Sequence, residues 1–198
     1  MNEFDIRREM DNIINFIKDN FSSISEDEVK ELYKRYLFLE SRVSTNSPSF
    51  KDDKDKYRYG NCYCYALGFT THDVFSDVYA RFKKKMMTHN IGFISNNIID
   101  VSDPNDLMFG FETDMGYLRI KCFDSEVDKP NLHNGYKVSL YRGFKDFHFT
   151  RQNSDGSWSH KVGYRPIITK CNPFDVSDYD IIHTYEIVKP LVRRFKWH

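Results

Sequence analysis

The sequence predicts an α+β fold in which helices come first and strands follow. Two observations carry this. Apolar residues recur at helical spacing up to residue 43, and from about residue 91 the chain turns to short strand-like runs separated by turn-forming residues. That order suits an α+β domain and not alternating βαβ units. A third observation excludes general disorder, since 40% of the 198 residues are hydrophobic and 16% are aromatic.

The first helix is read from Met10, Ile13, Ile14, Ile17 and Phe21, which share one face. Ser25-Glu26-Asp27-Glu28 then forms a capping box, Ser25 accepting from the backbone and Glu28 reaching back, ahead of Val29, Leu32, Tyr33, Tyr36 and Val43. Residues 1–45 are therefore predicted as a helical hairpin, 46–56 as an exposed connector and 57–198 as the main domain. A two-helix hairpin is marginal alone, so its apolar stripes are expected to pack on the rest of the chain. Next come a short apolar stretch, Cys62 to Phe69, interrupted by Gly68, and a helix pattern at Val74, Val78, Phe82 and Met86. Arg81 and Lys83-Lys84-Lys85 on its polar side are read as a solvated face. Strands are predicted at Leu107 to Glu112, Tyr117 to Phe123, Tyr136 to Tyr141, Phe147 to Gln152, Ser157 to Lys161, Arg165 to Ile168 and Thr184 to Lys189.

Charge and cysteine content narrow the function. With 29 Lys+Arg against 29 Asp+Glu, the chain lacks the positive excess of a general nucleic-acid or anionic-membrane binder. Arg193 to His198 is a short basic-aromatic tail, read as a solvated end and not as a nucleic-acid site. Four unevenly spaced cysteines do not form a secreted disulfide framework. The charged N-terminus does not read as a signal peptide, and no run approaches a membrane span. The expected location is the cytoplasm of the maker or, after delivery, a target cell. No glycine-rich phosphate loop, paired-carboxylate signature or Gly-x-Ser-x-Gly elbow is present, so no cofactor is expected. Cys62 and Cys64 are closer than the pairs of common zinc knuckles, and Cys122 and Cys171 have no nearby partner, so no metal site is expected.

The most informative segment is Lys145 to Lys161. Two alternating runs flank Ser154-Asp155-Gly156, and if Gly156 takes the left-handed position of a three-residue hairpin, even positions face even positions. His148 and His160 then share a face with Thr150 and Trp158, while Phe147, Phe149 and Arg151 point the other way. A two-residue Asp-Gly loop would break that parity. Such a pair of imidazoles has three readings: solvated polar residues, ligands of a metal needing further partners, or a catalytic base with its orienting group. Gly60-Asn61-Cys62 offers the nucleophile the last of these needs, because a thiol at a helix start meets partial positive charge that favours thiolate. Cys64 is rotated away and is expected to pack as a small apolar residue. Simple burial is the competing reading for Cys62 as well.

A helix-start cysteine followed by histidines on two successive strands resembles the NlpC-like branch of the papain-like cysteine peptidases and amidases. Asn61-Cys62-Tyr63 with Tyr65-Ala66-Leu67, then Asp146 to Phe149, Arg151 to Gly156 and Trp158 to Lys161, is similar to bacterial proteins with that arrangement. The resemblance spans about residues 57 to 170 and does not reach the helical N-terminus. It implies a Cys-bearing helix packed on an antiparallel sheet, Cys62 as nucleophile, His148 as general base and His160 as the group orienting His148. The Cys62 N–H would supply half of an oxyanion hole. Papain's glutamine before the cysteine is missing, which leaves Tyr57 or Tyr59 for the other half, with Asn61 as a further positioning candidate. Gln152 or Asn153 would replace His160 under a different register. Tyr63 stands where the pattern usually has a small residue. The implied activity is cleavage or transfer at an amide bond of a peptide or protein through a Cys62 thioester, with a peptidoglycan stem peptide as second choice. The alternative is a non-enzymatic interaction protein that uses the hairpin and keeps the Cys/His cluster for structure.

Overall fold

The computed structural model describes residues 1–50, 56–82, 90–163 and 165–192. Their elements are α1 (Glu3–Asp19), α2 (Glu26–Val43), α3 (Cys62–Leu67), α4 (Asp73–Arg81), α5 (Pro104–Leu118), β1 (Lys121–Ser125), β2 (Tyr136–Arg142), β3 (Phe147–Gln152), β4 (Trp158–Lys161), β5 (Ile168–Cys171) and β6 (Asp180–Val188). The strands form one six-stranded sheet in the order β1-β6-β2-β3-β4-β5, every pairing antiparallel. This is the α+β arrangement the sequence predicts. No helix among the described residues is long and apolar enough to cross a membrane.

Both hairpin helices begin at capping boxes. The Ser25 N–H donates to Glu28 Oε2 at 3.0 Å and the Glu28 N–H donates to Ser25 Oγ at 3.3 Å. Asn2 and Asp5 do the same for α1, which starts well before Met10 and buries Ile6 along with Ile13, Ile14 and Ile17. The stripe of α2 continues into the main domain: the Tyr33 ring stacks on Phe75 at 4.3 Å, and the buried Glu40 accepts from the Thr70 N–H at 2.8 Å. One apolar core runs from Ile6 and Leu37 through Phe75 and Leu107 to Val138 and Phe149. The hairpin packs on the domain and buries its apolar stripes there.

Three expectations need correction. Leu107 to Glu112, and Tyr117 and Leu118 beyond it, belong to helix α5, not to strands. Asp103 caps that helix, Pro104 fits its first turn, and Leu107, Phe111, Met115 and Leu118 form a buried stripe at helical spacing. The strand predicted at Arg165 to Ile168 begins only at Ile168. The described part of the connector is exposed only in part: Ser47 and Ser49 are exposed, but the Ser154 N–H donates to Pro48 O at 2.6 Å, and Asn46 brackets Lys189 by accepting from its N–H at 2.8 Å and donating to its carbonyl at 3.2 Å. Residues 51–55, Lys83-Lys84-Lys85, Met86 and the Arg193–His198 tail lie outside the described residues.

Strand β3 sits between two packed faces. Phe149 stacks on Tyr63 of α3 at 5.0 Å, and Arg151 donates to the Tyr65 carbonyl at 2.9 Å. His148 and Thr150 point to the other face, toward Tyr141, whose hydroxyl donates to Pro173 O at 2.7 Å.

Candidate active site

The β3–β4 turn closes as the three-residue loop predicts. Asn153 N–H donates to Ser157 O at 2.7 Å, Gly156 N–H donates to Asn153 O at 2.9 Å, and Gly156 has φ +81. The resulting register pairs Thr150 with His160, Arg151 with Ser159 and Gln152 with Trp158. His148 and His160 are therefore diagonal neighbours on one face. Their rings meet edge to face, with His148 Nε2 and His160 Nδ1 2.8 Å apart.

Cys62 reaches this region from α3. Asn61 caps the helix by accepting from the Cys64 N–H at 3.0 Å. Gly60 comes before the cap because a Cβ there would lie 2.7 Å from Cys64 Cβ. The Cys62 sulfur lies near the β3 backbone, where the Phe149 N–H favours its charged form. Cys62, His148 and His160 line one cleft of about 400 Å³ together with Asn61, Asp146 and Tyr179. The Tyr179 ring packs 5.1 Å from His148, and its hydroxyl donates to Asp146 Oδ2 at 3.2 Å.

The resting protonation state differs from the one the helix start suggests. Burial pushes the Cys62 thiol up to about 12, and Asp146 adds to the rise. The N–H groups of Phe149 and Tyr63 and the ammonium of Lys161 pull the other way and are outweighed. Burial, then the neighbouring His160, drives His148 down to about 4, and burial lowers His160 too. The cleft at neutral pH thus holds a thiol and neutral imidazoles, not a thiolate–imidazolium pair.

The other candidates fall elsewhere. Tyr57 accepts from Arg151 Nη1 at 3.3 Å and packs edge-on against Tyr65, lining a different pocket. Tyr59 lies beneath the Arg58 guanidinium and is not among the cleft-lining residues. Of the three positioning candidates near the cysteine, only Asn61 borders the cleft. Gln152 pairs with Trp158 at the far end of β3, and Asn153 holds the turn, accepting from Ser159 Oγ at 3.0 Å. The group bonded to His148 is His160. Cys64 is buried and its thiol is pushed up to about 12 by that burial, as for a packed apolar residue.

Tyr179 has no sequence signal, and Asp146 and Lys161 stand within the motif runs without a role that the sequence assigns. Asp146 stands two residues before His148, which is the only local signal. Lys161 is fully buried, donates to Gly163 O at 2.9 Å, and is held down to about 8 by burial. Among the described residues, no three His, Cys, Asp or Glu side chains converge as a metal site. Comparison with protein-family models, curated proteins and solved structures finds no match for this chain.

Proposed function

We propose that this chain is a papain-like, cysteine-dependent hydrolase or acyl transferase of the NlpC-like kind. It acts on an amide bond of a peptide or protein, with a peptidoglycan stem peptide as the second substrate class. The observation that carries this is the His148–His160 hydrogen bond on a cleft that also holds the helix-start thiol of Cys62.

In this mechanism the His148 Nε2–H donates to His160 Nδ1, which leaves Nδ1 of His148 as the base. As the Cys62 sulfur attacks the substrate carbonyl, its proton passes to His148, so charge appears only when the substrate is present. The tetrahedral oxyanion is received by the Cys62 N–H, which stands outside the helix ladder at the first position of α3, where the cap residue Asn61 borders the cleft. Collapse breaks the C–N bond, and imidazolium His148 returns the proton to the departing amine. Water, deprotonated by His148, then cleaves the thioester; an amine in its place gives transfer. His160 steadies the imidazolium stage by accepting its hydrogen bond. The hairpin is built into the shared core, which favours this reading over a separate interaction arm.

The test uses p-nitrophenyl acetate as acyl donor. One p-nitrophenolate per chain should appear in an initial burst, with the acetyl group on Cys62 by mass spectrometry. The burst should persist in Cys64→Ala. A burst that survives Cys62→Ala, or acetyl spread evenly over Cys62, Cys122 and Cys171, would overturn the proposal.

A further inference from the structure

We propose that the cavity between the hairpin and the sheet is a binding site for a small oxyanion, carboxylate or phosphate, whose molecule also carries a hydrogen-bond donor. The inference stands apart from the hydrolase reading, because the site uses none of the residues assigned to that chemistry. The cavity holds about 490 Å³ and is walled by α2, the connector, β3 and the residue that follows β6.

Three charged side chains line it while almost fully buried: Glu40 at 5% exposure, Arg151 at 2% and Lys189 at 3%. Among the described residues, no ion pair joins Glu40 to either cation. Each is tethered yet left incomplete. Glu40 Oε1 accepts from Thr70 N–H and Oγ1, whereas Oε2 has no partner. Arg151 uses Nη1 on Tyr57 and Tyr65 and Nη2 on the Ser49 carbonyl, whereas Nε has no partner. Among the described residues, the Lys189 ammonium gives one hydrogen bond, to Ser44 Oγ at 3.0 Å, and an ammonium carries three donors.

Buried charge of this kind is costly unless it is paired, and unpartnered buried polar atoms are few in folded proteins. A ligand that supplies an acceptor to Lys189 and Arg151 and a donor to Glu40 Oε2 answers all three deficits together. The sign of the ligand follows from the buried wall: Arg151 and Lys189 face the single carboxylate of Glu40, and Arg7, which also lines the cavity, is held by Glu3 at 2.8 Å. The site is also pre-shaped. Asn46 fixes the Lys189 backbone from both sides, and Gly68, left-handed at the end of α3, clears room for the ammonium, since a Cβ there would lie 3.1 Å from Lys189 Nζ.

Inorganic phosphate and glycine separate the two sources of the oxyanion. Each is titrated into the full chain by calorimetry, with amide NMR to locate the response. At least one should bind saturably at up to about 10 mM, moving the Gly68 and Thr70 amides while those of Cys62 and His160 stay in place. Lys189→Met should abolish binding of whichever probe binds. Its thermal melt shows that the variant folds, and Arg151→Lys, with the charge kept, should weaken binding at least about tenfold. Glu40→Gln should spare phosphate and weaken glycine, whose ammonium needs the carboxylate. Saturable binding of neither probe, or binding unchanged in folded Lys189→Met, would overturn the proposal.

Discussion

At the Phe147 end of β3, His148 and His160 complete one another across a 2.8 Å hydrogen bond; toward the other end, on the opposite face, Arg151 shares a cavity with Glu40 and Lys189 and leaves its Nε without a partner. Cys62 and His148 in the first region and all three charged groups in the second are buried, and burial acts on both. In the first it yields neutral groups, with His148 held down to about 4 and the thiol up to about 12, the resting state from which the proposed mechanism would move a proton from sulfur to nitrogen. In the second, burial raises Glu40 and lowers Lys189 to about 7, working against charges that no neighbour fully compensates. On the proposed readings, reciprocal partners serve chemistry in the first region, and incomplete partners serve ligand binding in the second.

The largest expected effects break the first region. Cys62→Ala should abolish thioester formation, and His148→Ala should cost about 10²- to 10⁴-fold in acylation rate, the usual contribution of a positioned base. His160→Ala should cost less, because a wandering imidazole still benefits from the oxyanion donors, and His160→Asn less again, since an amide oxygen can still accept from His148. The esterase rates of these four variants, each shown to fold, check the order.

Next in size is the pH response. His148 titrates near 6.5 when unfolded and about 4 when folded, so between those values the unfolded chain binds more protons. Its contribution is therefore present above about pH 6.5 and lost as pH falls toward 4, amounting to up to about 3 kcal/mol. Urea unfolding of wild type minus His148→Asn isolates it from Glu40 and Asp114, whose raised carboxyls act with the opposite sign in acid. Lys189 acts in a separate window, losing stability as pH falls from about 10.5 to about 7.

Smaller effects sharpen the contrast between the regions. His160→Ala leaves a buried His148 nitrogen unsatisfied and should destabilise by about 1 to 3 kcal/mol. Lys189→Met removes an incompletely paired buried charge and should leave ligand-free stability unchanged or raise it by about 1 kcal/mol. Cys64→Ala should cost about 1 to 2 kcal/mol as a packing loss. Thermal and urea melts in ligand-free buffer read all three.

What could be read from the sequence was local. The Ser25–Glu28 capping box, strand Phe147 to Gln152, and the left-handed Gly156 that brings His148 to His160 all rest on spacings of a few residues. Helix α5 reads as strand because Leu107-Met108-Phe109 looks like a short strand, whereas Asp103-Pro104 and the Leu107, Phe111, Met115 spacing carry the helix signal. The sequence placed Cys62 at a helix start but held no measure of its depth, and depth decides the thiol's state. Tyr179 over His148, and Glu40 beside Arg151 and Lys189, come together only through tertiary packing between distant segments. No pattern along the chain announces them.

The pH profile of Cys62 acetylation, wild type against His148→Ala, tests the central claim most directly. With neutral His148 as base, the wild-type rate should be nearly flat from about pH 5.5 to 9 and fall as pH drops through about 4, while the variant should be slow at pH 7 and rise about tenfold per pH unit with the thiolate. Superimposable profiles in the two folded proteins would mean that His148 does not take the thiol's proton, and would contradict the account.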